Sequence, residues 1–420
     1  MGQIGMSSTS TRGNIGTILA IRDYRIFWTG NFLSRCGVWV QRLAIAWLTW
    51  QLTQSPAWLG LIGFLSLFPF AALTPFSGAV ADRFGIRRTA IVANSVSAMN
   101  AFLFATLTYS GVLTIELIVV LTLVHSISGS FSAPAFNSLI PDMVPVEVRS
   151  SAVAFNATAG HASTFIGAGI FGLVINLLDV SGTFVVNGAT FLYFAYCLKL
   201  LNLPSVQKST APLHHLFQEM TEGIRMTVSN RALMSLYFTQ IALHLLVAPH
   251  RDLLAGFAED VFARGVDGLS ILAGASGIGA VAGGVAMSMR GKMSGLITIL
   301  NLSILLALVV ILIFATTGIF WLAVGCTFFV GMAFVVNGTC MQTLLLNSTN
   351  RSNRGRIMAL SIVLPAGLPA LGALALGFLS DVYGLQVPLA SASVLGLVIW
   401  VFGLRDVRRH ASTLETPVEN

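Results

Sequence analysis

The sequence predicts an all-α integral membrane protein, with twelve transmembrane helices arranged as two six-helix pseudo-symmetric bundles. Three observations predict it: apolar runs of membrane-crossing length, a one-sided distribution of cations, and a repeat that aligns the second half of the chain with the first. Of the 420 residues 55% are hydrophobic and 9% charged, against about 25% charged in soluble domains. So few charges cannot cover a surface that faces water. The apolar runs are about 20 residues long, enough to cross a hydrocarbon layer of about 30 Å at 1.5 Å per residue. Inside lipid the backbone must satisfy its own hydrogen bonds, which selects helices for runs of this length. The 40 glycines suit helices that pack closely within a membrane.

In order along the chain, spans are expected at 26–50, 57–80, 89–110, 113–139, 151–178 and 181–203, then at 232–257, 267–289, 294–315, 319–346, 357–381 and 385–403. This divides the chain into a cytoplasmic N-terminal segment 1–25, a first bundle 26–203, a cytoplasmic linker 204–231, a second bundle 232–403 and a cytoplasmic tail 404–420. The linker carries Lys208, His214, His215, Glu219, Glu222 and Arg225 and reads as a short amphipathic helix between the bundles. The first twenty residues are polar and show no apolar core followed by a cleavage site, so no removable signal peptide is expected.

The formal net charge is +7. Assigning loops alternately from a cytoplasmic N-terminus puts 19 of the 23 Lys and Arg on the cytoplasmic side, leaving only Arg35, Arg42, Arg251 and Arg264 elsewhere. That is the positive-inside pattern, and it predicts both termini in the cytoplasm. It also argues against a nucleic-acid partner, which would need the cations on one aqueous face.

The halves repeat at an offset of about 205 residues: Gly167 and Gly172 align with Gly372 and Gly377, and Arg149 with Arg354. Gly78 and Gly85 align with Gly284 and Gly291 at an offset of 206. Such a parallel repeat places a binding site between two halves that rock about it.

Between the second and third spans stand Gly78, Asp82, Arg83, Gly85, Arg87 and Arg88, spaced as G-x-x-x-D-R-x-G-x-R-R. Gly78 permits close packing, Asp82 is suited to a helix N-terminus or an arginine, Gly85 suits a tight turn, and the arginines anchor the loop inside. The pattern resembles the cytoplasmic signature of the major facilitator superfamily at every fixed position. The second-half copy retains Gly284, Arg290 and Gly291 but has Ser288 in place of the acid. Trp39-Val-Gln41-Arg42 and Ala46-Trp47-Leu48 in the first span resemble the branch that holds the enterobactin exporter and the macrolide-efflux proteins. So do Ile140-Pro141-Asp142, Glu222-Gly223 with Arg225, and Arg354-Gly355-Arg356 in the loops. The resemblance runs from about residue 20 to 403. It implies export from the cytoplasm across a bacterial inner membrane, often driven by protons, of siderophores, macrolides or related compounds. One departure bears on coupling: in the fifth span Thr164 and Gly167-Ala168 stand where the branch has an arginine and a Gly-Pro pair.

Ionisable residues inside a membrane cost about 2.5–3.5 kcal/mol each and are functional candidates by default. Arg35 and Arg42 are two helical turns apart on one face of the first span. With Gln41, Asn137 and Gln342 they are the candidate substrate-binding residues. His125, His161 and His244 fall in mid-span and titrate near neutrality, which makes them candidates for proton coupling. Pro249, Arg251 and Asp252 are candidates for gating at the periplasmic mouth, because a proline inside a span breaks the backbone ladder. Arg149, Arg354 and Arg356 form the matching cytoplasmic loop positions of the two halves. No carboxylate lies deep in the first six spans, and beside two arginines this points to an anionic or neutral substrate.

Cys36, Cys197, Cys326 and Cys340 sit in apolar runs without metal-ligand spacing, and act as small hydrophobes. No catalytic constellation, phosphate-binding loop or metal cluster is legible, so no enzyme activity and no cofactor are expected, and energy comes from a gradient. The expected partners are a small-molecule substrate, the bilayer and protons, with the chain a monomer. The rival readings on this fold are an importer of an organic acid or sugar, and a receptor or lipid-moving protein.

Overall fold

The computed structural model describes residues 15–133, 138–203, 225, 229–290, 294–347 and 354–409. Asn137, linker positions Lys208, His214, His215, Glu219 and Glu222, and the tail beyond 409 lie outside the described residues. His161, Arg354 and Arg356 are described by their helical backbone alone.

Among the described residues every regular element is helical. The first half comprises α1 (Ile15–Ala20), α2 (Arg22–Thr53), α3 (Pro56–Phe84), α4 (Ile86–Tyr109), α5 (Ile115–Ser132), α6 (Ile140–Met143) and α7 (Arg149–Leu200). The second comprises α8 (Arg231–Ile241), α9 (His250–Gly256), α10 (Gly265–Arg290), α11 (Leu296–Thr316), α12 (Phe320–Asn347), α13 (Arg354–Tyr383) and α14 (Gln386–Arg409). Among the described residues ten stretches are long and apolar enough to cross a membrane, one of them running from Arg231 to Val261 and so joining α8 to α9. Two crossings complete the twelve. One is α2, 32 residues long, whose apolar run is interrupted by Arg35, Gln41 and Arg42. The other comes from α7, whose apolar stretch Ala162–Leu200 is 39 residues long and turns at Asp179.

Local chemistry explains the breaks. Pro56 starts α3 where an N–H has no partner to lose. Gly85 alone separates α3 from α4, at φ 91°, a conformation glycine adopts without cost. Thr114 caps α5 by accepting from the Leu117 N–H, and Asn230 caps α8 by accepting from the Ala232 and Leu233 N–H groups. In the fourth span α5 ends at Ser132 and Ala133 is a turn, while 134–137 of the expected span lie outside the described residues. Asp179 makes its turn at φ 59° and ψ −178°, a region essentially reserved for glycine. Asp179→Gly is therefore expected to stabilise the fold by about 1 kcal/mol, measured as a higher Tm of the detergent-purified protein.

Within the first half α2 packs along α7, and α4 packs on α5 and α7; within the second, α12 packs on α10 and α11, and α14 on α8 and α11. The halves meet through α3 with α13 and through α7 with α10, while α9 reaches α2 and α3. The aligned glycines occupy equivalent places. A Cβ on Gly167 would stand 2.6 Å from the Cys36 carbonyl oxygen in the first span, and one on Gly372 would stand 2.0 Å from that of Leu245 in the seventh. Gly172 faces Ser270 in the eighth span and Gly377 faces Gly60 in the second, so each meets the second span of the other half.

The joining contacts gather at the end remote from the termini. There Ser55 Oγ donates to Asp381 at 2.6 Å, and Asn176 Nδ2 donates to Asp267 at 3.2 Å. On α3 a Cβ at Gly60 would meet the Ala373 carbonyl oxygen at 2.3 Å, whereas one at Gly78 would meet nothing within 4 Å. On α13 Gly377 is equally crowded and Gly367 is not. One apolar core runs through both halves. A second, around Tyr24, Phe27, Ile140 and Phe194, fastens α1 and α6 to the terminus-bearing end. All four cysteines are buried and unpaired.

Candidate functional site

The seventh span is the least regular element of the fold. Its α-helix passes into a π-helix over Ala242–Val247, resumes as α9, and turns π again over Phe257–Val261. Pro249, which has no N–H to donate, sits at the first junction, where the Ala248 N–H bonds back five residues to the Leu243 carbonyl at 2.9 Å. π-bulges are frequent at functional sites, because they rotate the following side chains out of helical register. Here they bracket His250, Arg251 and Asp252.

The rotation aims Asp252 across the interface between the halves. Arg42 Nη2, on α2, donates to Asp252 Oδ1 at 2.7 Å, a charge-assisted bond between side chains 210 residues apart. Asp252 is 8% exposed and Arg42 29%. Gly63 on α3 makes the room, since a Cβ there would lie 2.9 Å from Asp252 Cγ. Arg251 takes no carboxylate of its own among the described residues; its guanidinium lies 4.4 Å from the centre of the Phe334 ring, a cation–π contact. It is close enough to Arg42 and Asp252 to feel both charges. The cluster thus sets two guanidinium groups against one carboxylate.

These side chains line a cavity of about 130 Å³ between the halves. Arg42, Gln41, His125, Arg251 and Asp252 all border it, contributed by α2, α5 and α9. Gln41 is fixed by the Asn187 amide, which donates to its Oε1, while its own Nε2 is buried without a partner. His125 packs 5.8 Å from Phe191, and its Nδ1 likewise has no partner. The remaining wall includes Trp39, Ser66, Thr122, Thr164 and Ser276. Arg42 lies 5.5 Å from the Trp39 ring centre, so an aromatic face and a cation border the same space.

The other sequence candidates lie elsewhere. Arg35 bonds Asn31 at 3.2 Å, and Asn31 bonds Asn156 at 2.9 Å, a buried chain inside the first half. His244 lies 5.9 Å from the ring centre of Phe334, the ring that Arg251 also contacts, and does not line the cavity. Gln342 is exposed on α12. The signature residues Asp82, Arg83 and Arg88 are exposed at the terminus-bearing end, where Arg87 bonds the carbonyl of Lys199. Arg149 opens α7 at that same end.

Sequence reading missed the partner of Arg42, because it sought a carboxylate in the first six spans and placed Asp252 at a mouth. It also passed over Gly63, whose spacing from Gly60 was the available signal, and the hydroxyls of Ser66, Thr122 and Ser276, which carry none.

Comparison with known proteins agrees with this architecture. A family model described as transmembrane secretion effector matches residues 17–415. The staphyloferrin A transporter of Staphylococcus aureus is 21% identical over 384 residues, covering 89% of this chain and 92% of that protein. Macrolide efflux protein A of Streptococcus pyogenes is 19% identical over 350 residues, 81% of this chain and 86% of that protein. Among solved structures, the nucleoside transporter NupG superposes with a TM-score of 0.71 at 16% identity, over 92% of this chain and 99% of that one. A bacterial homologue of the human lysosomal transporter Spinster, in an inward-facing and occupied conformation, gives 0.71 at 15% identity over 95% and 98%. At these identities the two structures speak for the fold alone. The family match spans nearly the whole sequence, and the chain belongs to the transmembrane secretion effector family of the major facilitator superfamily, a family of multi-pass membrane transporters.

Proposed function

We propose that the protein exports a small anionic or neutral organic molecule across the bacterial inner membrane, by alternating access driven by the proton gradient. The observation that carries this reading is the Arg42–Asp252 bond, which joins the two halves beside a largely apolar cavity that charged side chains border at their interface. Alternating access needs a contact that holds one end closed and breaks when the other end closes. With both termini in the cytoplasm, as the cation distribution predicts, the closed end is periplasmic and this conformation loads from the cytoplasm. Arg42 and Gln41 contact the substrate, and the unpaired charge of Arg251 favours an anion. Arg251 and Asp252 gate, on the irregular seventh span that Pro249 interrupts. Among the candidate histidines the proton-carrying role is assigned to His125, and its position on the cavity wall supports that assignment. The relatives' names, a siderophore transporter and a macrolide efflux protein, support outward transport and leave the cargo class open between them. The proposed transporting unit is a monomer.

The test is accumulation of siderophores, macrolides and fluorescent cations in cells with and without the protein, repeated with a protonophore. Lower accumulation of one anionic or neutral class, abolished by the protonophore, is the expected result. Protein-dependent uptake would overturn the direction, and efflux confined to cations would overturn the charge argument.

A further inference from the structure

A second cavity lies apart from the central one. It is a groove of about 570 Å³ between α3, α4 and α5 at their terminus-bearing ends, within the usual range of about 300–1,000 Å³ for small-ligand sites. Phe84, Val92, Val96, Val124 and Ile127 make its walls. Val92 is 56% exposed and Phe84 57%, so the groove opens on the outer face of the bundle, which lipid covers.

The groove is apolar along its length and cationic at one end. Arg88 stands there, in the first turn of α4 and at the boundary of the membrane. From Arg88 to Val96 the helix rises about 12 Å. The two arginines beside Arg88 are engaged: Arg87 bonds the carbonyl of Lys199, and Arg83 lies 5.9 Å from the Phe84 ring. Arg88 is exposed and has no acceptor among the described residues. Next to it the hydroxyl of Thr89 is buried without a partner. The N-terminus of α4 adds the positive end of a 24-residue helix and N–H groups without intrahelical acceptors.

We propose that this groove binds an anionic phospholipid, with the phosphate at Arg88 and the start of α4 and one acyl chain laid along Val92, Val96, Val124 and Ile127. The ligand that fits must be apolar for about 12 Å, negative at one end, and present where headgroups meet hydrocarbon. A water-soluble substrate would leave its polar groups unpaired against these walls, and a neutral amphiphile would leave Arg88 unpaired. The site adjoins the signature loop on α3, the same helix that meets α13 at the closed end. It does not depend on the cargo or direction of transport.

The full-length protein in phosphatidylcholine nanodiscs, given a trace of diazirine-acyl phosphatidylglycerol, tests this. Crosslinks are expected at Val92–Val96 and Val124–Ile127, about fivefold above those from the same label on phosphatidylcholine, the worth of one cationic contact with a headgroup. Arg88→Gln, a change at an exposed position, should reduce the phosphatidylglycerol signal to the phosphatidylcholine level. Val92→Trp, which fills the groove, should remove both. Equal labelling by the two probes, labelling indifferent to Arg88→Gln, or crosslinks confined to other surfaces would each overturn the assignment.

Discussion

Asp252→Ala is expected to open the end of the molecule that this conformation holds closed, and to abolish transport. The substitution leaves Arg42 without its 2.7 Å partner and leaves two guanidinium groups, Arg42 and Arg251, facing each other across the interface. Breaking a buried ion pair costs about 3–5 kcal/mol, and the 29% exposure of Arg42 argues for the lower figure. In the proposed alternating-access cycle that cost falls on one state only, because the bond breaks when this end opens. A bias of about 3 kcal/mol moves a two-state equilibrium by about a hundredfold, enough to hold a rocking protein in its other state. Spin labels at Leu52 and Val382, both exposed near the closed end, should report a shift from short to long distances. The exchanged pair Arg42→Asp with Asp252→Arg restores opposite charges across the interface and should restore the short distances in part. An unchanged distance distribution in Asp252→Ala would remove the pair from the gate.

The sequence made the architecture legible because the membrane leaves few choices. Runs of spanning length must be helices, and the glycines of the fifth and eleventh spans recur at the same offset because they meet corresponding spans. Gly167 and Gly372 admit the backbone of the first span of their own half, and Gly172 and Gly377 meet the second span of the other. What remained hidden is what depends on register within a helix. Pro249 signals that the seventh span bends, but nothing local says that the π segment before it turns Asp252 toward Arg42. Arg35 and Arg42 share a face by spacing, yet one ends in a buried chain with Asn31 and Asn156 and the other in the cavity. The two-turn rise between them carries one past the interface of the halves. The carboxylate absent from the first six spans comes from the second half, as Asp252, and Arg251 borders the same cavity as a second cation.

The second large effect concerns shape rather than charge. Gly377→Val is expected to reduce transport to a small fraction of the wild-type level, with expression and monodispersity unchanged. A Cβ at Gly377 would stand 2.7 Å from the Gly60 Cα and 2.7 Å from the Pro56 carbonyl oxygen, and a backbone atom cannot rotate aside. Overpacking of this kind costs about 1–3 kcal/mol, more where the neighbours are rigid. As with the ion pair, the crowding exists only with this end closed, so the chain escapes it by rocking open rather than by unfolding. The same spin labels should therefore again report long distances. Gly367→Val, one helix arm away with nothing within 4 Å of its Cβ, is the control and should transport normally. Gly172→Val should fall between the two. Its nearest neighbours are the Cβ and hydroxyl of Ser270, both at 3.0 Å, and a serine side chain yields where the backbone of Gly60 does not. If Gly377→Val and Gly172→Val prove equally harmless, α3 and α13 do not close this end of the transporter, and the gate rests on Arg42 and Asp252 alone.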